Sequence, residues 1–135
     1  MPPLEQAARH QSRERALALL YESDVKGESI EAVLAGQPVE PDGFTVRLVT
    51  SVAAHLAEID RLLADAAIGW DVARMAAVDR NVLRMAVGEL LDPDGPPPAV
   101  VMNEAIELAT EYSTEDSGRF VNGVLSTIAA RVRPS

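Results

Sequence analysis

The chain of 135 residues contains no cysteine and no long apolar run. Without cysteine there is no disulfide framework, no thiolate zinc site and no cysteine nucleophile, which suits a reducing compartment. The first residues lack a basic start followed by an apolar run, and no stretch approaches the roughly 18 continuous apolar residues of a membrane span. We therefore expect a soluble cytoplasmic protein without a leader or a membrane segment.

Short motifs of common enzyme and metal sites are also missing. There is no G-x-S-x-G segment and no glycine-rich phosphate loop. His10 and His55 are far apart, and the nearest pairing, His55 with Glu58, has only i, i+3 spacing and suits a solvated helix face. We predict a noncatalytic protein that uses neither a metal nor a cofactor.

Basic residues are scarce, and their distribution is uneven. The net charge of -9 opposes nonspecific binding to nucleic acid. Residues 1–21 nevertheless carry three Arg and two Glu, and residues 117–135 carry three Arg and no acid, whereas residues 22–116 carry six basic and nineteen acidic side chains. If the two ends lie side by side, they form a locally basic surface. Otherwise the terminal arginines only solvate loose ends and complement a helix dipole.

Hydrophobic periodicity predicts an all-α fold of about seven helices in one domain that spans residues 1–135. A chain of this length with 47% hydrophobic residues is large enough to bury a substantial core. No alternating apolar run of the kind typical of strands occurs. Apolar residues recur at helical spacing over 101–112 and 120–132, and we predict further helices over Arg9–Lys26, Ser29–Ala35, Phe44–Ala67 and Val78–Leu91, with a helical turn at Asp71–Met75.

Glycine and proline mark the breaks between these helices. Residues 36–43 hold two Gly and two Pro, which predicts a mobile loop, and residues 1–8 should form a flexible amino terminus. The run Pro96–Pro98 suits a first helical turn but not the residues before it, so the next helix should begin near Pro98. Ser113 or Thr114 is expected to cap the last helix.

The chain contains VDRNVLRMAVGELL at 78–91, NEAIELA at 103–109 and STEDSGRFVNGVL at 113–125. Together these three segments resemble the NusB family of bacterial transcription antitermination proteins. They occur in the family's order and spacing, and residues 9–27 resemble the family's arginine-rich first helix. The likeness covers most of the chain and is weak mainly between residues 30 and 45. It implies an all-helical fold of two small packed three-helix bundles.

The resemblance also implies a function. Family members bind the boxA segment of nascent RNA together with NusE, a ribosomal protein of the small subunit. The pair helps to load an antitermination complex onto RNA polymerase, notably during ribosomal RNA synthesis. In the family, the RNA surface joins the amino-terminal basic segment to the start of the last helix. Some members are dimers when free, which leaves a homodimer open for this chain.

At the amino end, the predicted RNA-binding residues are Arg9, His10 and Arg13. Arg9 and Arg13 are four residues apart, so they would share a helix face and both reach phosphates. His10 would add charge only at lower pH, or it is an ordinary exposed histidine. The family often has a denser arginine run at this point, which leaves the strength of unaided RNA binding open.

At the start of the last helix, the predicted RNA-binding residues are Asp116, Arg119 and Phe120. Arg119 would neutralise a phosphate and Phe120 would stack on a base. Alternatively, Phe120 is in phase with Val124 and Ile128 and belongs to the core. Asp116 either caps the helix or tunes RNA affinity by repelling phosphate.

Tyr21, Asp79 and Arg80 match positions that in the family face NusE or lie near it. Alternatively, Tyr21 lies at the edge of the core and Asp79 caps its helix. Two other functions stay open. The chain could be a protein-interaction module of the same fold with little RNA affinity of its own, or the accessory part of an RNA methyltransferase, because similar domains also occur fused ahead of such enzymes.

Overall fold

The computed structural model describes residues 3–134, which form six α-helices and one 3₁₀ turn. No strand occurs within this range, and none of its helices is long and apolar enough to span a bilayer. The predicted all-α class is confirmed, and the predicted turn at 71–75 is the 3₁₀ turn. The elements are α1 (Pro3–Lys26), α2 (Ile30–Ala35), α3 (Gly43–Ala66), the 3₁₀ turn (Val72–Arg74), α4 (Ala77–Leu91), α5 (Pro98–Tyr112) and α6 (Glu115–Val132).

The helices pack as two groups of three. α1, α2 and α3 contact one another, as do α4, α5 and α6, and α4 also lies against α1 and α3. Since α4 is covered by helices of both groups, ten of its fifteen residues are buried, including Val82, Leu83 and Val87. The two implied three-helix bundles therefore share α4 as the central element of a continuous core.

α1 begins at Pro3, earlier than the predicted Arg9. Proline suits the first turn of a helix, and the residues that follow it are good helix formers without an apolar face, so periodicity gave no signal for them. Residues 1 and 2 lie outside the described part of the chain. The flexibility predicted for residues 1–8 and for the loop at 36–43 stays a prediction.

Two capping residues fix the helix starts that matter for the site. Thr114, one of the two predicted caps, accepts a hydrogen bond from the backbone N–H of Ser117 at 3.0 Å. Asp42 caps α3 by accepting from the N–H of Thr45 at 3.1 Å, and it accepts from the Ser12 hydroxyl at 2.8 Å. Hydrogen bonds from the hydroxyls of Thr45 and Ser12 lower the pKa of Asp42 to about 2. The start of α3 is thus held against α1.

Candidate nucleic-acid interface

Arg13, the central basic residue of α1, points into the protein. It is only 3% exposed. Its Nε donates to Glu89 Oε2 at 3.0 Å and its Nη2 to Glu89 Oε1 at 2.7 Å, a bidentate pair between α1 and α4. In this structure the guanidinium is occupied inside the fold, and its predicted contact with phosphate stays a prediction.

Arg9 lies one turn earlier on α1 and is half-buried. Its guanidinium carbon is 4.1 Å from the centroid of the Phe44 ring, which is cation–π geometry. Together with Arg13, Phe44 and Arg47 it lines a cleft of about 280 Å³. Because stacking uses the face of the guanidinium, its N–H groups stay able to bind a phosphate at the edge.

His10 lies among carboxylates of α1 and α5. Its Nδ1 is 3.0 Å from Glu104 Oε2, and its Nε2 is 3.6 Å from Glu111, 3.9 Å from Glu14 and 4.0 Å from Glu107. The hydrogen bond with Glu104 raises the pKa of His10; burial opposes the rise, and the charges of Glu104, Glu107 and Glu14 add to it. His10 therefore carries more charge near neutral pH than an ordinary histidine.

This arrangement also brings possible metal ligands together. The ligand atoms of His10, Glu104 and Glu107 lie within 4.8 Å of one another, as do those of His10, Glu14 and Glu111. Spacing within one helix reveals only the pair His10 and Glu14, because the other carboxylates come from α5. We call Arg9, His10 and Arg13 the N-terminal patch.

At the start of α6 the charged side chains face solvent. Arg119 Nη2 contacts Asp116 Oδ1 across three residues, and the two side chains are 73% and 85% exposed. An exposed pair of this kind contributes little to stability. Arg119 can therefore exchange Asp116 for a phosphate at small cost.

Phe120 is half-buried and meets Trp70, a residue for which sequence analysis assigned no functional role. The ring centroids are 5.7 Å apart and the planes make an angle of 61°, an edge-to-face pair. Trp70 is 56% exposed although it is a large aromatic side chain. Its being the only tryptophan of the chain was a signal, but nothing in the sequence placed it next to Phe120.

Trp70 and Phe120 line a cleft of about 450 Å³ between the 3₁₀ turn, α4 and α6. Arg74 on the 3₁₀ turn lies at its rim and is exposed, and it too was missed in the sequence. Asp79 and Asp116 also line the cleft. We call the group Trp70, Arg74, Asp79, Asp116 and Phe120 the α6 cleft.

Of the three residues predicted to face a protein partner, Asp79 and Arg80 lie in the first turn of α4 and Tyr21 lies on α1. Tyr21 is 41% exposed, whereas Asp79 is buried and its Oδ2 accepts from the Ser117 hydroxyl at 3.0 Å. Asp79 therefore links α4 to α6 through a side chain and makes no cap. Arg80 donates to Asp24 at 2.8 Å and to the carbonyl of Met75 at 2.9 Å, so it fastens the 3₁₀ turn.

Arg13 of α1 and Arg133 after α6 both make contacts at the carboxyl end of α4. Arg133, just after α6, donates to the carbonyls of Leu90 at 2.9 Å and Asp92 at 2.5 Å, next to the Glu89 that binds Arg13. Both arginines are used internally there, so counting charges overstates the free positive charge. Two clefts lie around the N-terminal patch, and they share no lining residue with the α6 cleft.

Residues 10–130 match the model of the NusB family. A transcription antitermination protein NusB from Saccharopolyspora erythraea is 49% identical over 128 residues, which cover 90% of this chain and 86% of the relative. The chain is similar to a solved structure of NusB from T. maritima, with a TM-score of 0.79 and 34% identity over 90% of this chain and 89% of the other.

A second solved structure holds the antitermination factors NusB and NusE in complex with double-stranded RNA. The matching chain has a TM-score of 0.77 and is 29% identical, and the match covers 91% of this chain and 96% of the other.

Proposed function

Because the chain belongs to the NusB family of transcription antitermination proteins, a noncatalytic family, we propose that it is an RNA-binding adaptor. It holds boxA-type single-stranded RNA together with a NusE-type ribosomal protein, and the pair joins an antitermination complex on RNA polymerase in the cytoplasm, including at ribosomal RNA operons. Residues 1–135 act in it as one RNA-binding domain.

The observation that carries this proposal is the α6 cleft. An exposed tryptophan meets a half-buried phenylalanine, and the arginines Arg74 and Arg119 lie exposed nearby. Single-stranded RNA is read mainly by aromatic stacking combined with backbone neutralisation. Phe120 packs against the core and also lines the cleft, which supports the proposed stacking on a base.

The N-terminal patch adds phosphate contacts. Arg9 presents its guanidinium edge, and His10 adds charge that depends on pH. At the start of α6, Arg119 exchanges its exposed pair with Asp116 for a phosphate. Asp116 beside Arg119 repels phosphate and limits the affinity. Arg13 supports the patch by holding α1 on α4, and it reaches RNA directly only if it leaves Glu89.

The acidic body of the chain suits a basic partner. Nineteen acidic side chains lie between residues 22 and 116, and charge complementarity with a basic ribosomal protein would raise the association rate and selectivity. Tyr21 supplies an exposed aromatic side chain for that contact, and Asp79 and Arg80 shape the neighbouring surface from within.

A second candidate is a protein-interaction module with little RNA affinity. The internal pairing of Arg13 with Glu89 and the carboxylates around His10 favour it, because they reduce the positive charge available to phosphate.

Binding of fluorescent boxA-type RNA and a scrambled control, with and without NusE, across a salt series separates the two candidates. The adaptor predicts boxA-selective binding that strengthens with NusE and weakens with salt. NusE binding without RNA selectivity would contradict it and support the interaction module. Light scattering of the free protein tests the homodimer.

A further inference from the structure

Asp79 carries an unpaired acceptor in the α6 cleft. The residue is 9% exposed. Its Oδ2 accepts from Ser117, whereas Oδ1 is buried and has no hydrogen-bond partner within residues 3–134. Leaving a buried acceptor unpaired costs free energy, and such atoms are uncommon in folded proteins. A ligand that brings an N–H donor to Oδ1 would recover that cost.

The rest of the cleft indicates what kind of ligand carries the donor. Trp70 and Phe120 offer aromatic surfaces, which favour a flat ring. Arg74, which also lines the cleft, suits a phosphate carried by the same ligand. An unpaired nucleotide of single-stranded RNA combines a flat ring, N–H donors and a phosphate.

We propose that the α6 cleft is a base-reading pocket, in which an unpaired base stacks on Trp70 and Phe120 and donates an amino N–H to Asp79 Oδ1. The proposal rests on the proposed RNA-binding function and adds the chemical class of base. Cytosine, adenine and guanine carry an amino group on the pairing edge, whereas uracil presents carbonyl oxygens on both sides of its single N–H. A carboxylate repels those oxygens, so the pocket selects against uracil.

Oδ1 is covered in the free protein, so the base must displace a neighbouring side chain to reach it. Trp70 is the most exposed of the large hydrophobic side chains that line the cleft. Its displacement and stacking would change the fluorescence of the only tryptophan in the chain. Binding in the pocket is therefore observable in the unmodified protein.

The first experiment titrates the full chain with nonameric oligocytidine and oligouridine and follows Trp70 fluorescence. These ligands have the same charge and ring size and differ only on the pairing edge, where the amino group and bare N3 of cytosine are replaced by the carbonyl and N–H of uracil. We expect fluorescence quenching and roughly tenfold tighter binding of oligocytidine, from one additional hydrogen bond to a charged acceptor. Equal affinities, or binding without a fluorescence change, would overturn the base pocket.

Asp79→Ala and Asp116→Ala form a matched pair of variants. Each removes one negative charge at the cleft, but only Asp79 carries the unpaired acceptor. Asp116→Ala should raise both affinities by the same factor and keep the preference for cytidine, whereas Asp79→Ala should reduce the preference to about one. A preference that survives Asp79→Ala would overturn the proposal.

Further variants distinguish the base pocket from a folding defect of Asp79→Ala and from a protein interface at Asp79. Ser117→Ala removes the existing partner of Asp79 but keeps the acceptor, so the preference should persist. Trp70→Phe should retain binding of oligocytidine that Trp70→Ala loses, measured by the anisotropy of labelled RNA because both variants lack tryptophan. Equal binding by the two variants would overturn stacking on Trp70, and with it the pocket, even if Asp79→Ala does not fold. If Asp79→Ala weakens NusE binding and leaves the ratio unchanged, Asp79 belongs to the protein interface. If neither oligonucleotide binds but boxA-type RNA does, the base pocket fails and the proposed function stands. If boxA-type RNA does not bind either, with or without NusE, the proposed function fails as well.

Discussion

The N-terminal patch and the α6 cleft combine the same kinds of residue in different ways. Each places a basic side chain near a phenylalanine: Arg9 lies over Phe44, and Arg119 precedes Phe120. In the N-terminal patch, however, Arg13 is buried on Glu89. In the α6 cleft, Trp70 is open to solvent, and Arg119, the neighbour of Phe120 in the sequence, is exposed. The charged pair in the N-terminal patch thus holds helices together, whereas the exposed side chains at the α6 cleft are available to a ligand.

The largest expected effect is on stability and concerns Arg13. Arg13→Ala leaves Glu89 charged and buried without its partner, so we expect a loss of about 3–5 kcal/mol in the free energy of unfolding, measured by urea denaturation. Replacing both residues, Arg13→Met with Glu89→Leu, should recover most of that loss. A stable Arg13→Ala protein that has selectively lost RNA affinity would show that Arg13 contacts RNA instead.

Next in size is the effect of removing each of the chain's two phenylalanines. Phe120→Ala should weaken binding of boxA-type RNA by about 1–3 kcal/mol, the contribution of one stacked base, measured by fluorescence anisotropy in the presence of NusE. Phe44→Ala is the matched control, because Phe44 stacks on Arg9, and it should weaken RNA binding much less. Equal losses would remove the distinction between the two regions.

A smaller effect concerns salt. Arg9→Ala and Arg119→Ala should each lower the slope of log affinity against log salt by about 0.7, the value for one phosphate contact on a single strand. Arg61→Ala changes an exposed arginine on α3 and should leave the slope unchanged. If only Arg119→Ala lowers it, the N-terminal patch makes no phosphate contact.

The smallest expected effect is the pH dependence set by His10. Glu104 raises the pKa of His10 above its ordinary value of 6.5. A raised pKa means that His10 stabilises the fold fully below pH 6.5 and that this contribution is lost as pH rises through the folded pKa. Urea denaturation should therefore show wild type more stable than His10→Gln at about pH 6 and similar to it at about pH 9. A constant difference would mean that His10 acts by packing alone.

Local patterns predicted the helices and their ends well. The start of α5 at Pro98 follows from the chemistry of proline, and the cap at Thr114 from that of a hydroxyl. The early start of α1 was missed because its first turns have no apolar face. Short-range rules work where the interacting atoms lie within a few residues of one another.

The site was harder to predict because its defining contacts are long-range. Arg13 shares a face with Arg9 in the sequence pattern, but its partner Glu89 lies 76 residues further along the chain. Trp70 and Phe120 are in contact although they are also far apart in the sequence, and Asp79 contacts Ser117 across 38 residues. The identity and spacing of residues predicted which side chains are candidates for RNA contact. Only the packing of the helices around α4 shows which of these charges are already paired inside the protein.

Hydrogen exchange in the complex with NusE, compared with and without boxA-type RNA, tests most directly whether both regions hold one RNA. We predict slower amide exchange on RNA binding at residues 70–76, at the start of α6 and around Arg9 in α1. Slowing confined to the N-terminal patch, with no change at the α6 cleft, would contradict this account.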